Sequence, residues 1–209
     1  MIDRRGHSPL AVLVDAMATG APVLAVCADV PRRLEGLRAR VGGFVLASYD
    51  ELERHAARAA GFSRLVALDP PTDAVSAARL RAGHGVTLLA WGPAELRFAE
   101  QMHELEYGLR ASLVAFYRAL RDRERAAGEE LERLLRGDGS YARSAPLAGR
   151  LIRVLAELEL VSLDRALPAL SIAGRAPTAL ERSPSFRVYA QRYEDGKRYL
   201  SSANHLPTG

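Results

Sequence analysis

Five short, almost wholly apolar runs recur within residues 1–93, and polar stretches separate them. The runs are rich in valine, leucine and alanine, and each is shorter than an ordinary helix. Strands that are buried on both faces of a parallel sheet have this pattern, because helices cover both faces of such a sheet. We therefore predict five strands, at LAVLV (10–14), PVLAVC (22–27), GFVLA (43–47), RLVALD (64–69) and VTLLAW (86–91).

The polar stretches between these runs carry helix signals. Pro31 suits the first turn of a helix, and Ser48 with Glu51 three residues later has the spacing of a capping box. Thr72 or Asp73 is the expected N-cap of the next helix. Strands that alternate with helices in this order predict an α/β layer with right-handed crossovers.

The periodicity becomes helical from residue 94 onward. Apolar residues return every three or four positions as far as about residue 135, which predicts helices with one buried stripe. A loop and another helix follow, and the runs VSLD and ALSIAG behind them are expected to form a hairpin. We thus predict an α/β fold in two parts, a parallel sheet flanked by helices at 1–93 and a helical, winged-helix-like subdomain at 94–209.

Composition and charge narrow the functional classes. The 209 residues are 48% hydrophobic, and no apolar run approaches the ~20 residues that a membrane helix needs. The N-terminal segment has no signal-peptide pattern, so we expect a cytoplasmic protein. The net charge is +4, and Lys197 is the only lysine, so the basic residues are almost all arginines. Arginine pairs in bidentate fashion with carboxylates and phosphates, but a charge of this size does not by itself indicate nucleic acid.

Asp69 raises the question of a nucleotide site, because many nucleotide-hydrolysing enzymes end a buried strand on an acid that holds Mg²⁺. A phosphate-binding loop also needs glycines followed by a lysine and a serine or threonine. The chain has no such motif, and Lys197 lies far from the strand-rich region. Pro70 and Pro71 follow Asp69 directly, and they favour a turn or capping role for it. We therefore expect no nucleotide cofactor.

Three aspartates permit a competing hypothesis, an autonomous metal-dependent phosphoesterase. Asp15, Asp29 and Asp69 each follow a predicted strand, where the carboxyl ends of parallel strands meet, and His84 would complete a Mn²⁺ or Mg²⁺ site. The histidines, however, form none of the paired motifs that such enzymes use, and Asp29 also suits the N-cap of the following helix. No nucleophile motif is present, and Cys27 is interpreted as a small buried residue. We expect no metal site and no catalytic residue.

Arginines are the remaining candidates for function. Arg118, Arg121 and Arg125 are spaced three and four residues apart, which would place them on one face of a single helix. Phe116 and Tyr117 lie beside them, where they would pack in the core or line a pocket. We predict that these three arginines bind a partner.

Several segments, in order, carry a resemblance to a known family. They are IDRRG, LVALDPP followed by a helix, VTLLAWG, FYRALR, LIRVLAELELV and LERSPSFRVYAQR, and together they cover nearly the whole chain. In these segments the chain resembles the C-terminal accessory domain of bacterial RecJ, the 5′-to-3′ exonuclease specific for single-stranded DNA. The metal motifs of that family's nuclease core, D-H-H and D-H-H-A, are not in this sequence, so no catalytic residue is carried over.

The resemblance implies a domain from the end of a longer enzyme, with a helicase-like sheet that lacks ATP motifs. It also implies partners: the nuclease core of the same chain, the acidic tail of the single-strand binding protein, and a HerA-type translocase. We therefore expect a non-catalytic interaction domain of a repair exonuclease, which recruits partners or supports DNA binding by the core. The metal-dependent phosphoesterase and a small winged-helix DNA-binding protein remain as alternatives.

Overall fold

The computed structural model describes residues 1–37, 41–82 and 85–203. It divides into two compact units. The first comprises Met1–His103 together with the C-terminal residues from Asp195, and the second comprises Glu104–Glu194. The sequence placed the boundary after residue 93 and assigned the whole C-terminal part to the second unit, so both limits differ.

A five-stranded sheet, with every neighbouring pair parallel, forms the centre of the first unit, in the order β1-β5-β4-β2-β3. All five residues of β2 are buried, as expected for a strand covered on both faces. Four of the five predicted strands are confirmed. The strands are β1 (Ile2–Asp3), β2 (Val23–Cys27), β3 (Val45–Ser48), β4 (Arg64–Ala67) and β5 (Val86–Leu89).

Helices cover both faces of this sheet. Val12 and Leu13 pack on one face, whereas Leu52 and Leu80 pack on the other. The capping box of Ser48 and Glu51 is confirmed, and Asp73 is the N-cap of the following helix. The helices between the strands are α1 (Pro9–Met17), α2 (Val30–Leu37), α3 (Tyr49–Arg54), α4 (Ala56–Ala59) and α5 (Ala74–Arg81).

The predicted first strand, LAVLV at 10–14, is wrong, because this segment lies within α1. Ser8 caps the helix by accepting a hydrogen bond from the backbone N–H of Ala11, and Pro9 occupies the first turn. Val12, Leu13 and Ala16 are buried along one side, as a helical period requires. The first strand is instead the short β1, which adds to the edge of the sheet beside β5.

The second unit has the element order of a winged helix: helix, strand, two helices and a hairpin. Its three strands form an antiparallel sheet in the order β6-β8-β7. The predicted hairpin is confirmed. The core is mostly leucine and includes the buried Phe116 and Phe186. The elements are α7 (Leu109–Arg121), β6 (Arg125–Ala127), α8 (Gly128–Arg136), α9 (Ala145–Glu157), β7 (Val161–Asp164) and β8 (Ala169–Ile172).

Two long helices each contribute residues to both units. They are α6 (Pro93–Tyr107) and α10 (Pro184–Ala203). Within the first unit, Leu200 of α10 packs with Leu96 and Ala99 of α6. None of the helices in the described ranges has the length and hydropathy to cross a bilayer.

Candidate functional site

The strand order creates a switch point between β2 and β4. The chain leaves β2 toward β3 on one side, and it leaves β4 toward β5 on the other. In open α/β sheets, ligands bind in the crevice that such a divergence leaves at the carboxyl ends of the strands. Ala28 and Asp29 follow β2 here, and Asp69 follows β4 by two residues.

The carboxylate of Asp69 is held at this switch point by groups of the protein itself. Asp69 is fully buried. Its Oδ2 accepts hydrogen bonds from the backbone N–H of Ala28 at 2.9 Å and from Nε of Arg33 at 3.1 Å, and its Oδ1 accepts from Nη2 of Arg33. Arg33 lies over the ring of Phe98, 4.1 Å from the ring centroid. Both oxygens of Asp69 therefore have internal partners.

The main chain of Asp69 is held as firmly as its side chain. The hydroxyl of Tyr49 donates to the backbone carbonyl of Asp69 at 2.5 Å. Burial raises the pKa of the Asp69 carboxyl, although the hydrogen bonds from Arg33 and the Ala28 N–H oppose that rise. The sequence predicted a turn or capping role for Asp69. It does lie in a bend, but its side chain acts across the sheet and joins the ends of β2 and β4.

Arg33 is the residue that sequence reasoning missed at this place. It lies in the first turns of α2, directly after a buried strand, while Asp69 follows the neighbouring strand. An arginine and an acid at the carboxyl ends of two predicted strands are the available signal, since those ends gather at one edge of a parallel sheet. Cys27, which ends β2, is buried as predicted, and burial raises the pKa of its thiol well above the usual value.

The aspartates that the phosphoesterase hypothesis assigns to a metal site have other positions and roles in the structure. Asp15 is exposed on α1, so the expectation that it follows a strand is wrong. Asp29 caps α2, because its Oδ1 accepts from the backbone N–H of Arg32 at 2.8 Å. His84 lies outside the described residues. In the described ranges, no three His, Cys, Asp or Glu side chains are grouped so that they could hold a metal ion.

The three candidate arginines do not share one helix face, and that expectation is wrong. Arg118 and Arg121 lie in the last turn of α7, which ends at Arg121, whereas Arg125 begins strand β6. The chain turns between them, and Glu124 adopts a left-handed conformation with φ of 63°. All three side chains are nevertheless exposed.

Arg118, Arg121 and Arg125 have in common that their guanidinium groups form no ion pair in the described part of the chain. Some other arginines of this unit do have acidic partners, whereas Arg133, Arg153 and Arg165 also form no ion pair there. The ion pairs are Arg110 with Glu181, Arg123 with Glu130, Arg136 with Glu132, Arg150 with Glu106 and Arg175 with Glu124.

An exposed apolar residue accompanies two of the unpaired arginines. Val114, which is 46% exposed, precedes Arg118 by four residues and Arg121 by seven, so the three lie on one face of α7. Phe116 is buried in the core, and the hydroxyl of Tyr117 donates to the backbone carbonyl of Gly174 at 2.7 Å. The aromatic residues therefore have structural roles, and Val114 is the apolar side chain available beside the arginines. We call Val114, Arg118, Arg121 and Arg125 the arginine surface.

The second helix of the α8–α9 pair is the one that commonly reads DNA in winged-helix proteins. Its exposed positions are mostly small or uncharged residues, such as Pro146, Gly149 and Ala156, with Arg153 among them. Arg150 is partly buried and is bound to Glu106 within the same unit. The exposed face of α9 therefore offers few groups for neutralising phosphates.

Comparison with known proteins adds no identification. Neither the family models, nor the curated proteins, nor the solved structures include a match to this chain.

Proposed function

We propose that the chain is a non-catalytic accessory domain of a RecJ-like 5′-to-3′ exonuclease, and that it binds acidic segments of repair proteins. The observation that carries the proposal is the pairing of Asp69 with Arg33 and the Ala28 N–H. At the place where sheets of this class bind nucleotides, the acid that would hold Mg²⁺ already has protein donors on both of its oxygens. Such a unit is better suited to binding other proteins than to phosphate chemistry.

The arginine surface is the proposed contact. Unpaired guanidinium groups bind carboxylates through strong, charge-assisted hydrogen bonds. Val114 lies beside them and would pack against an apolar side chain of the partner. An acidic-hydrophobic tail, such as that of the single-strand binding protein, has both features. A HerA-type translocase and the nuclease core of the same enzyme are further proposed partners.

DNA binding through the winged-helix unit is the second candidate function. The element order of the second unit supports it, because many winged-helix proteins bind DNA. The small, mostly uncharged side chains exposed on α9 argue against a large phosphate-neutralising surface there. We therefore rank the protein contact first.

The experiment uses a fluorescein-labelled acidic peptide that ends in a phenylalanine, and it measures anisotropy against the folded chain. Replacing Arg121 and Arg125 together by Glu should weaken binding by about 2 kcal/mol or more, the scale of losing charged hydrogen bonds. A double Arg153→Glu and Arg165→Glu variant is the control, because it makes the same change in net charge on α9 and the hairpin turn. Equal affinity of both variants for the peptide would remove the arginine surface from the proposal.

A further inference from the structure

A small apolar cavity lies beside the edge strand β3, on the face of the sheet that α3 and α4 cover. Its volume is about 200 Å³. The lining is mainly apolar and comprises residues of β2, β3, α3 and α4 and of the connection that follows α4, among them Leu24, Val45, Ala47, Leu52, Ala59 and Phe62. A cavity of this size holds one aliphatic side chain and is too small for a nucleotide or a drug-sized ligand.

The strand above this cavity has a neighbour on one side only. β3 ends the sheet order and pairs with β2, and none of the described strands pairs with its outer edge. Val45, on this strand, is 50% exposed and lines the cavity. An unpaired strand edge is a template for the main chain of another segment, whose alternate side chains then point to one face of the sheet.

The lining of the cavity includes one acidic side chain, Glu51, and one histidine, His55. The Oε2 of Glu51 accepts hydrogen bonds from the backbone N–H and the hydroxyl of Ser48, at 2.7 and 3.1 Å. In the described part of the chain, the Oε1 of Glu51 accepts no hydrogen bond, and no basic side chain is paired with this carboxylate. The neighbouring acids Asp50 and Glu53 also lack an ion pair there. A basic side chain on an added strand would therefore find an unpaired carboxylate.

We propose that the β3 edge binds an extended segment of a partner protein that carries one aliphatic side chain and, two residues away, a lysine or arginine. The added strand pairs with β3, the aliphatic side chain fills the cavity, and the basic group pairs with Glu51. This site lies in the first unit and takes a basic-apolar segment, so it is separate from the proposed binding of acidic segments by the arginine surface.

The test uses a short labelled peptide, blocked at both ends, in which threonine and valine alternate around one leucine, with a lysine two positions after it. We expect saturable binding by anisotropy, and changes in the backbone amide resonances of Val45–Ser48 in the labelled protein. Replacing the leucine by alanine should weaken binding at least about tenfold, because the cavity is then left unfilled. N-methylation of the peptide nitrogens that face β3 should abolish binding, because the carbonyl oxygens of β3 then have no peptide N–H groups from which to accept hydrogen bonds.

Variants of the protein test the proposed ion pair between Glu51 and the lysine of the peptide. Glu51→Gln keeps a side chain that can complete the capping box and should weaken binding of the lysine peptide by about threefold to fivefold, the range of a partly exposed ion pair. Glu53→Gln removes a charge from the same helix outside the cavity and should leave the affinity unchanged. The proposal is overturned if the peptide does not bind, if the alanine peptide binds equally well, or if the resonance changes lie away from β3.

Discussion

Arg33 and Asp69 form an ion pair across the carboxyl ends of β2 and β4, with Nε of Arg33 at 3.1 Å from Oδ2 of Asp69. The side chain of Asp69 is fully buried, and that of Arg33 is 24% exposed. Buried carboxylates are costly unless they are paired and hydrogen-bonded. This pair therefore stabilises the switch point at the carboxyl ends of β2 and β4, where other open α/β sheets have a ligand-binding crevice.

Removing the partner of Asp69 should destabilise the first unit. Arg33→Met keeps an apolar side chain beside Phe98 but leaves the buried Asp69 carboxylate without its counter-charge, with the Ala28 N–H as its remaining donor. This should lower the free energy of unfolding by about 3 kcal/mol. Urea denaturation followed by circular dichroism measures the change. The double variant Arg33→Met with Asp69→Asn should recover part of the loss, because no buried charge remains. A single variant as stable as the original chain would show that the pair contributes little.

The raised pKa of Asp69 gives a pH dependence with a defined sign. Because its pKa in the folded chain lies above the ordinary value of 3.8, the folded state binds the proton more tightly than the unfolded state does. The stability that Asp69 contributes is then fully present below its unfolded pKa and falls as pH rises through the folded pKa. Asp69→Asn removes this titration, so the unfolding free energy of the variant relative to the original chain should increase from acidic to neutral pH. A difference that is constant with pH would contradict the assignment.

Gly196 has no room for a side chain. A Cβ at this position of α10 would lie 2.3 Å from the Cε1 and Nε2 atoms of His103, which is itself buried. Gly196→Ala should therefore lower the free energy of unfolding by about 1–3 kcal/mol through overpacking. Gly149→Ala on α9 is the matched control, because nothing lies within 4 Å of the added methyl group. The control should stabilise the chain by up to about 1 kcal/mol through helix propensity.

We expect the chain not to bind ATP. Asp69 has protein donors on both oxygens, and the sequence holds no phosphate-binding loop. Isothermal titration with Mg-ATP at millimolar concentration should give no saturable heat. A saturable heat that disappears in Asp69→Asn would show that this carboxylate serves a nucleotide after all.

Local patterns in the sequence predicted most elements of the fold. Four apolar runs became strands, and the capping signals of Ser48 and Asp73 marked helix starts, because both depend on residues close in sequence. The prediction of a strand at 10–14 was wrong because a short apolar run fits either a buried strand or a buried helix. Ser8 and Pro9 before it were the helix signal that decides between them.

The candidate site was harder to predict from the sequence. The pair of Arg33 and Asp69 joins residues 36 positions apart, and periodicity gives no information on which charges meet. Arg125 was predicted to share a helix face with Arg118 and Arg121 because the three are spaced three and four residues apart. The helix instead ends at Arg121, and the turn to β6 passes through Glu124 in a left-handed backbone conformation, which its residue type does not favour. The sequence pattern also does not predict which arginines lack an acidic partner, because ion pairing depends on how the second unit folds.

The central claim is that the chain binds an acidic segment of a protein in preference to DNA. The direct test titrates the folded chain with the acidic peptide and, in parallel, with single-stranded DNA of random sequence, at low and at physiological salt. The account predicts that the peptide binds at both salt concentrations and that Arg121→Glu with Arg125→Glu weakens this binding by about 2 kcal/mol or more. It also predicts that DNA binds weakly at low salt and is lost at physiological salt. Tight binding of the DNA at physiological salt, with none of the peptide, would contradict it.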